Sequence, residues 1–227
     1  MLFQQRIPLI QDDAPTVNNA YLLRYLSERR GYKQAFYEQL AACHQQGTLL
    51  EVSGGWSFAG IDILRQTSCL SMMTIAPDLQ SCHWRWQIAK MENLGEREEI
   101  VIAADNGLPF PSACFAGVVS VNRLHRWCAP SAVLRELYRV LEPGGYLWIN
   151  DLRRDADEWI AEYQIRELQR DRRPYGAFAF DRFVRAWRAS YTAEELETLL
   201  EKTGLSGYAR YEDDGAMART LVITKAM

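Results

Sequence analysis

Two short stretches of this 227-residue chain hold the residues best suited to chemistry. The first is Ser53-Gly54-Gly55-Trp56-Ser57, which follows the apolar run Thr48 to Val52 and precedes a helical pattern from Phe58 to Gln66. A strand, a glycine turn and a helix make the ligand end of a doubly wound sheet, because missing side chains let the backbone approach a bound molecule. The second is Asn122-Arg123-Leu124-His125-Arg126-Trp127, at the end of the apolar run Gly117 to Val121. Strand carboxyl ends line the crevice of open α/β sheets, so this stretch is expected to face a ligand. His125 has two readings there. Its free pKa is near neutral, which suits a general base, and its ring can equally pack or hydrogen-bond.

The elements that must position these residues follow from periodicity. Between Gly117–Val121 and a second apolar run, Tyr146 to Ile149, lies a helical pattern from Ala132 to Leu141, with Val133, Leu134, Leu137, Val140 and Leu141 on one face. Pro143-Gly144-Gly145 stops that helix, since proline cannot continue it and glycine takes the turn freely. Strand, helix, turn and strand make a βαβ unit of a parallel sheet. Further strands are expected at Cys69–Ile75, Glu99–Ala103, Ser206–Tyr211 and Thr220–Thr224, the last two closing the sheet as an antiparallel hairpin. Ser81 to Glu92 reads as a helix, and Thr192 with Glu195 reads as a capping box opening another that ends at Gly204. Met1 to Asn19 reads as a loose arm, and Ala20 to Gln45 as helix broken at Gly31.

The composition limits the function. Nearly half the residues are apolar, enough for one full core, and the net charge of −3 gives no general drive toward nucleic acid or membrane. The five cysteines are odd in number, widely spaced and without a CxxC pair, and the three histidines do not join them at zinc spacing. Reduced thiols and no metal are expected. With no signal peptide and no long apolar run, a cytoplasmic location follows as an expectation.

LPFP at 108–111, CFAGVVSVNRLHRW at 114–127 and LRELYRVLEPGGYLWINDLRR at 134–154 together resemble class I S-adenosylmethionine-dependent methyltransferases of the type 11, UbiE-like subgroup. The resemblance covers roughly Thr48 to Lys225. It implies a Rossmann-like α/β fold: a seven-stranded, mostly parallel sheet, helices on both faces, and a helical insertion before the last helix. It also implies residues 1–47 as an N-terminal arm and helices, 48–227 as the methyltransferase-like domain, and 152–190 as a cap. The cofactor would be S-adenosylmethionine, with Glu51, Ser53, Gly55, Thr74, Asp105 and Asn122 at the binding positions. Ser53, Gly55 and Ser57 stand at the glycines of the family's G-x-G-x-G turn. Thr74 stands where the family has the acid that takes the ribose hydroxyls, with Asp78 as a substitute if the loop bends back. Asp105 would take the adenine amino group, one residue nearer Leu108 than in the family, or else cap its loop. Ala116 replaces the Asp of FDVV. Trp56 or Trp127 could favour the sulfonium.

The resemblance implies methyl transfer to a small molecule, chemistry that rests on positioning and requires no universal catalytic residue. The departures at Ser53, Ser57, Thr74, Asp105 and Ala116 imply an alternative: a non-catalytic relative that serves as a binding or assembly module. In 152–190, arginines outnumber acids and aromatics interleave, as in Arg182-Phe183 and Arg185-Ala186-Trp187-Arg188. Such a surface can grip an anionic or flat ligand, form a homodimer interface, bind RNA, or be core with solvated arginines; the small local charge excess places dimer or core above nucleic acid.

Overall fold

The computed structural model describes residues 6, 34–43, 46–54, 57–68, 70–170, 176–213 and 217–227. Gly55, Trp56 and the expected helical stretch from Ala20 to Lys33 lie outside the described residues. In chain order the elements are α1 (Gln34–Cys43), β1 (Gly47–Glu51), α2 (Ala59–Gln66), β2 (Leu70–Ala76), α3 (Leu79–Met91), β3 (Glu98–Ile102), β4 (Phe115–Val121), α4 (Pro130–Val140), β5 (Leu141–Leu152), α5 (Glu158–Arg170), α6 (Gly176–Ala189), α7 (Ala193–Thr203), β6 (Ala209–Asp213) and β7 (Ala218–Thr224). They build a seven-stranded sheet in the order β3-β2-β1-β4-β5-β7-β6. β1 through β5 run parallel, and β7 lies antiparallel to both β5 and β6. The sheet therefore reverses its winding beside β1 and β4, and the crevice opens at their carboxyl ends.

Strand alternation sends side chains into two cores, one on each face. Leu50, Val118, Leu147, Ile149 and Leu221 pack with Leu134 and Leu137 of α4 and Leu196 and Leu200 of α7. Leu49, Val119, Trp148 and Val222 pack on the other face with Leu40 of α1, Ile61 and Leu64 of α2 and Ile88 of α3. Runs that are apolar on both faces are what a parallel sheet with two helical layers requires.

Some boundaries move. β5 begins at Leu141, so Pro143-Gly144-Gly145 lies inside the strand as an irregularity opposite Phe115 and Gly117. Gly144 takes φ +77, and a Cβ on Gly145 would stand 2.7 Å from the Ala116 carbonyl oxygen, so the glycine pair is a steric requirement there. Ser206–Tyr208 is a 3-10 turn, and β6 starts only at Ala209. The Thr192–Glu195 capping box forms, and Gly204 ends α7 at φ +74. A cap of this kind is worth about 0.5–2 kcal/mol.

α5 and α6 fall in the segment expected to be helical. Ile160 and Ala161 pack with Trp187 and Met217, and the Trp187 indole donates to the Arg153 carbonyl at 3.1 Å. Its arginines pair locally and in solvent: Arg166 with Glu162, Arg170 with Glu167, Arg185 with Asp181. Exposed pairs of this spacing add little stability. Trp159 and Tyr163 remain exposed on α5.

Candidate active site and its cofactor crevice

Glu51 and Thr74 face the layer between the sheet and α2–α3, and both are fully buried. Register explains their meeting: Glu51 pairs with Thr74 across β1 and β2, and so shares its face. Arg85 of α3 reaches in between. Its Nη2 donates to Glu51 Oε2 at 2.7 Å, its Nε donates to Glu98 Oε1 at 2.5 Å, and its Nη1 donates to the Ser57 carbonyl. Thr74 donates its hydroxyl to Glu98 Oε1 at 2.6 Å, and the Gly60 amide donates to Glu51 Oε2 at 3.1 Å. Burial pushes the Glu51 carboxyl above its ordinary value, Arg85 pulls it down and Glu98 pushes it up again. Burial also works against the Arg85 charge, but the two carboxylates more than offset it and hold its pKa above the ordinary one. Two carboxylates around one guanidinium leave Glu51 Oε1 and Glu98 Oε2 without partners. Through Ser57 the cluster anchors the far end of the glycine turn. Neither Glu51 nor Thr74 presents its side chain to the crevice, and Asp78 is spent as the α3 N-cap, accepting from the Ser81 amide at 2.7 Å.

Ser53 anchors the near end of the turn, its Oγ accepting the Val121 amide at 3.0 Å. Gly54 follows at φ +73, the left-handed conformation that favours glycine. Across the crevice, Asp105 Oδ2 accepts from Arg123 Nε at 3.0 Å and from the Trp127 indole at 2.9 Å. The Arg123 guanidinium also covers the turn, where a Cβ on Gly54 would lie 3.2 Å from its Nη1. The loop carrying Asp105 is held by α4. Glu136 accepts the Leu108 amide at 3.2 Å, and Arg139 donates to the Phe110 carbonyl at 2.8 Å. This links the LPF and LRELYR motifs of the sequence. Asn122 takes φ +54 at the end of β4, its amide donating to the Asn150 carbonyl at 2.9 Å.

His125 lies in a 3-10 turn (Leu124–Arg126) just beyond β4, and Asp151 lies near the end of β5. Both are buried. His125 Nδ1 and Asp151 Oδ1 are 2.5 Å apart, and the His125 amide donates to Asp151 Oδ2 at 3.1 Å. Burial alone would raise the Asp151 carboxyl, but the His125 charge and its hydrogen bonds hold it below the ordinary value. An ionised Asp151 fixes the imidazole with its proton on Nδ1 and leaves Nε2 as the basic nitrogen. Nε2 has no hydrogen-bond partner. Asp151 also lines a cavity of about 10 Å³, with Leu124, Ile149, Leu152, Tyr191, Leu196, Arg219 and Leu221. That is room for roughly one water.

Residues 74–149 match the family model described as a methyltransferase domain. Over that segment the chain is similar to class I methyltransferases of the type 11 family. That similarity implies S-adenosylmethionine as the cofactor. Solved structures share the fold. A proposed S-adenosyl-L-methionine-dependent methyltransferase from Methanococcus maripaludis aligns at TM-score 0.67 and 16% identity, over 96% of this chain and 98% of that one. An S-adenosylmethionine-dependent methyltransferase from Aquifex aeolicus aligns at TM-score 0.61 and 16% identity, over 92% and 99%. A methyltransferase-like protein from Bacillus halodurans aligns at TM-score 0.59 and 15% identity, over 87% and 100%. No curated protein matches the sequence. These findings do not favour the non-catalytic alternative.

The crevice suits the cofactor at Asp105 and departs from the family's pattern at two other places. Only Asp105 Oδ2 is engaged, which leaves Oδ1 for an adenine amino group, while the Arg123 guanidinium stands over the Gly54 turn. At the ribose position Thr74 has turned inward to Glu98. Among the described residues no cluster of His, Cys, Asp and Glu could hold a metal, and no helix is long and apolar enough to cross a membrane. Arg85 and Glu98 were not expected at the site, and Arg123 was expected there only as part of the 122–127 stretch, not as a partner of Asp105. Their role depends on strand register and on which way α3 faces, and neither has a local sequence signal.

Proposed function

We propose that the chain methylates a small molecule whose leaving proton passes to His125 Nε2. The His125–Asp151 pair carries this reading: a buried carboxylate fixes one ring nitrogen while the other is unpartnered, at the strand ends where the family binds its ligands. Ser53, Gly54, Asp105 and the backbone at Asn122 would hold the cofactor, with Gly55 completing the turn. When bound, the cofactor would supply an electrophilic methyl group to the acceptor, with S-adenosylhomocysteine as the leaving group. His125 Nε2 takes the acceptor proton, and Asp151 stabilises the imidazolium that results. The apolar walls around Leu124 and Leu196 exclude water. Since the cavity holds only about one water as it stands, its walls must part for an acceptor to enter.

Free thiols at Cys82, Cys114 and Cys128 support a reducing, cytoplasmic setting. Exposed Trp159 and Tyr163 support self-association through the cap.

Calorimetric titration with S-adenosylmethionine and S-adenosylhomocysteine tests the cofactor half. Release of S-adenosylhomocysteine over a panel of small phenols, amines and acids tests the transfer. Saturable binding of both ligands, and turnover that His125→Gln reduces about 100-fold or more, is the expected result. Absence of binding at millimolar ligand would overturn the reading.

A further inference from the structure

Arg6 is the described residue of the N-terminal arm, and it packs on Tyr191, a residue that lines the cavity beside Asp151. Its Nε donates to the Ala189 carbonyl at 2.7 Å, at the end of α6. Its guanidinium carbon lies 4.1 Å from the centroid of the Tyr191 ring. Tyr191 is a wall of the cavity that Asp151 also lines. One hydrogen bond and one stacked face fix the guanidinium plane. Nη1 and Nη2 make no hydrogen bond to the protein among the described residues. A cation that only capped α6 would have no need of this stacking, and a solvated one would have neither contact.

We propose that the methyl acceptor carries a carboxylate and that the free fork of Arg6 binds it. This rests on the methyltransferase reading above and names the substrate class for that site. A planar guanidinium with two terminal nitrogens available matches the two oxygens of a carboxylate. Leu124, Ile149, Leu196 and Leu221 ask for an apolar body between the carboxylate and the nucleophile, and Arg219, the cation of the lining, is paired with Asp155 at 3.3 Å. Asp151 and Glu195 already place negative charge around Tyr191, so a monoanionic carboxylate is favoured over a dianionic phosphate ester. The acceptor class is thus an apolar acid with a hydroxyl or amine at its far end. The acid end sits on Arg6 and the nucleophilic end faces His125.

The test is calorimetric titration of the full chain, saturated with S-adenosylhomocysteine. The probes are 3-hydroxybenzoate, 4-hydroxybenzoate and 4-hydroxyphenylacetate, each beside its amide, with 4-hydroxyphenyl phosphate as a further arm. The proposal expects at least one acid to bind saturably and its amide to bind about tenfold more weakly, the worth of a charge-assisted pair. Arg6→Gln should abolish the difference, and Arg6→Lys should restore part of it. A thermal melt of each variant separates loss of the α6 contact from loss of the ligand contact. Equal binding of acid and amide, tighter binding of the phosphate ester, an Arg6→Gln variant that keeps the acid affinity, or no acid bound while S-adenosylhomocysteine still binds would each overturn the proposal. If S-adenosylhomocysteine itself fails to bind, the methyltransferase reading beneath it falls first.

Discussion

Asp151 binds His125 twice, through the ring at 2.5 Å and through the backbone amide at 3.1 Å, so one carboxylate sets both the turn after β4 and the tautomer of the imidazole. Asp151→Asn should therefore cost activity and stability together. The stability loss at neutral pH should be about 1–3 kcal/mol, the cost of unmaking buried bonds to a charged group. Because the folded carboxyl titrates below its ordinary 3.8, its contribution is present above that value and fades as pH falls through the lower folded pKa. Urea titrations of both forms should show the gap at neutral pH and see it close in acid. A gap independent of pH would remove the ionic account of the pair.

Arg85 neutralises Glu51 and Glu98 in the absence of water. Arg85→Met should destabilise the chain by about 3–5 kcal/mol, because two buried carboxylates would lose their common partner. Glu51→Gln should be far milder at neutral pH. Its folded carboxyl is raised above 4.5, so ionising it costs stability as pH rises beyond that value, and the amide escapes this cost. Denaturant midpoints across pH would check the sign. A Glu51→Gln loss as large as that of Arg85→Met would contradict it.

Thr74→Asp would restore the family's acid at the end of β2, and from the sequence it is expected to tighten cofactor binding. The structure reverses that expectation. Thr74 is fully buried and 2.6 Å from Glu98 Oε1, so the substitution would place a third carboxylate in a cluster with one arginine. The variant should lose on the order of 3 kcal/mol or more without gaining affinity. A stable, tighter-binding Thr74→Asp protein would show that position 74 turns toward the crevice.

Arg123 lies between Gly54 and Asp105, across the space an adenosine would enter. Arg123→Ala should tighten S-adenosylhomocysteine binding by about fivefold, the roughly 1 kcal/mol of a single partly exposed ion pair that need no longer be broken. Trp127 shares the same Asp105 oxygen, so its fluorescence can report the titration. Weaker binding in the variant would show instead that Arg123 holds the ligand.

Gly60→Ala tests the cluster from the helix side. A Cβ there would collide with Glu51 Oε2 and come within 2.6 Å of Arg85 Nη2. Although alanine is the better helix former, the variant should melt lower, by about 1–3 kcal/mol of overpacking. A higher melting temperature would mean that the cluster yields at little cost.

What the chain determined by itself is what depends on neighbours a few residues apart. The face of α4, the Thr192 capping box, the Gly204 stop and the apolar runs of β1, β4 and β5 are all legible because helix and strand periodicity act locally. The motifs at Leu108–Pro111 and Leu134–Gly145 carried the family for the same reason. Tertiary structure alone decided where the charges went. Arg85 finds Glu51 across 34 residues and Glu98 across 13, Asp151 finds His125 across 26, and Arg6 finds Ala189 across 183. Those meetings follow from the β1–β2–β3 register, from the face α3 turns inward, and from the return of the chain over the cap. A buried charge takes whatever partner the assembled layers bring within reach, because leaving it unpaired away from water costs more than any local preference provides.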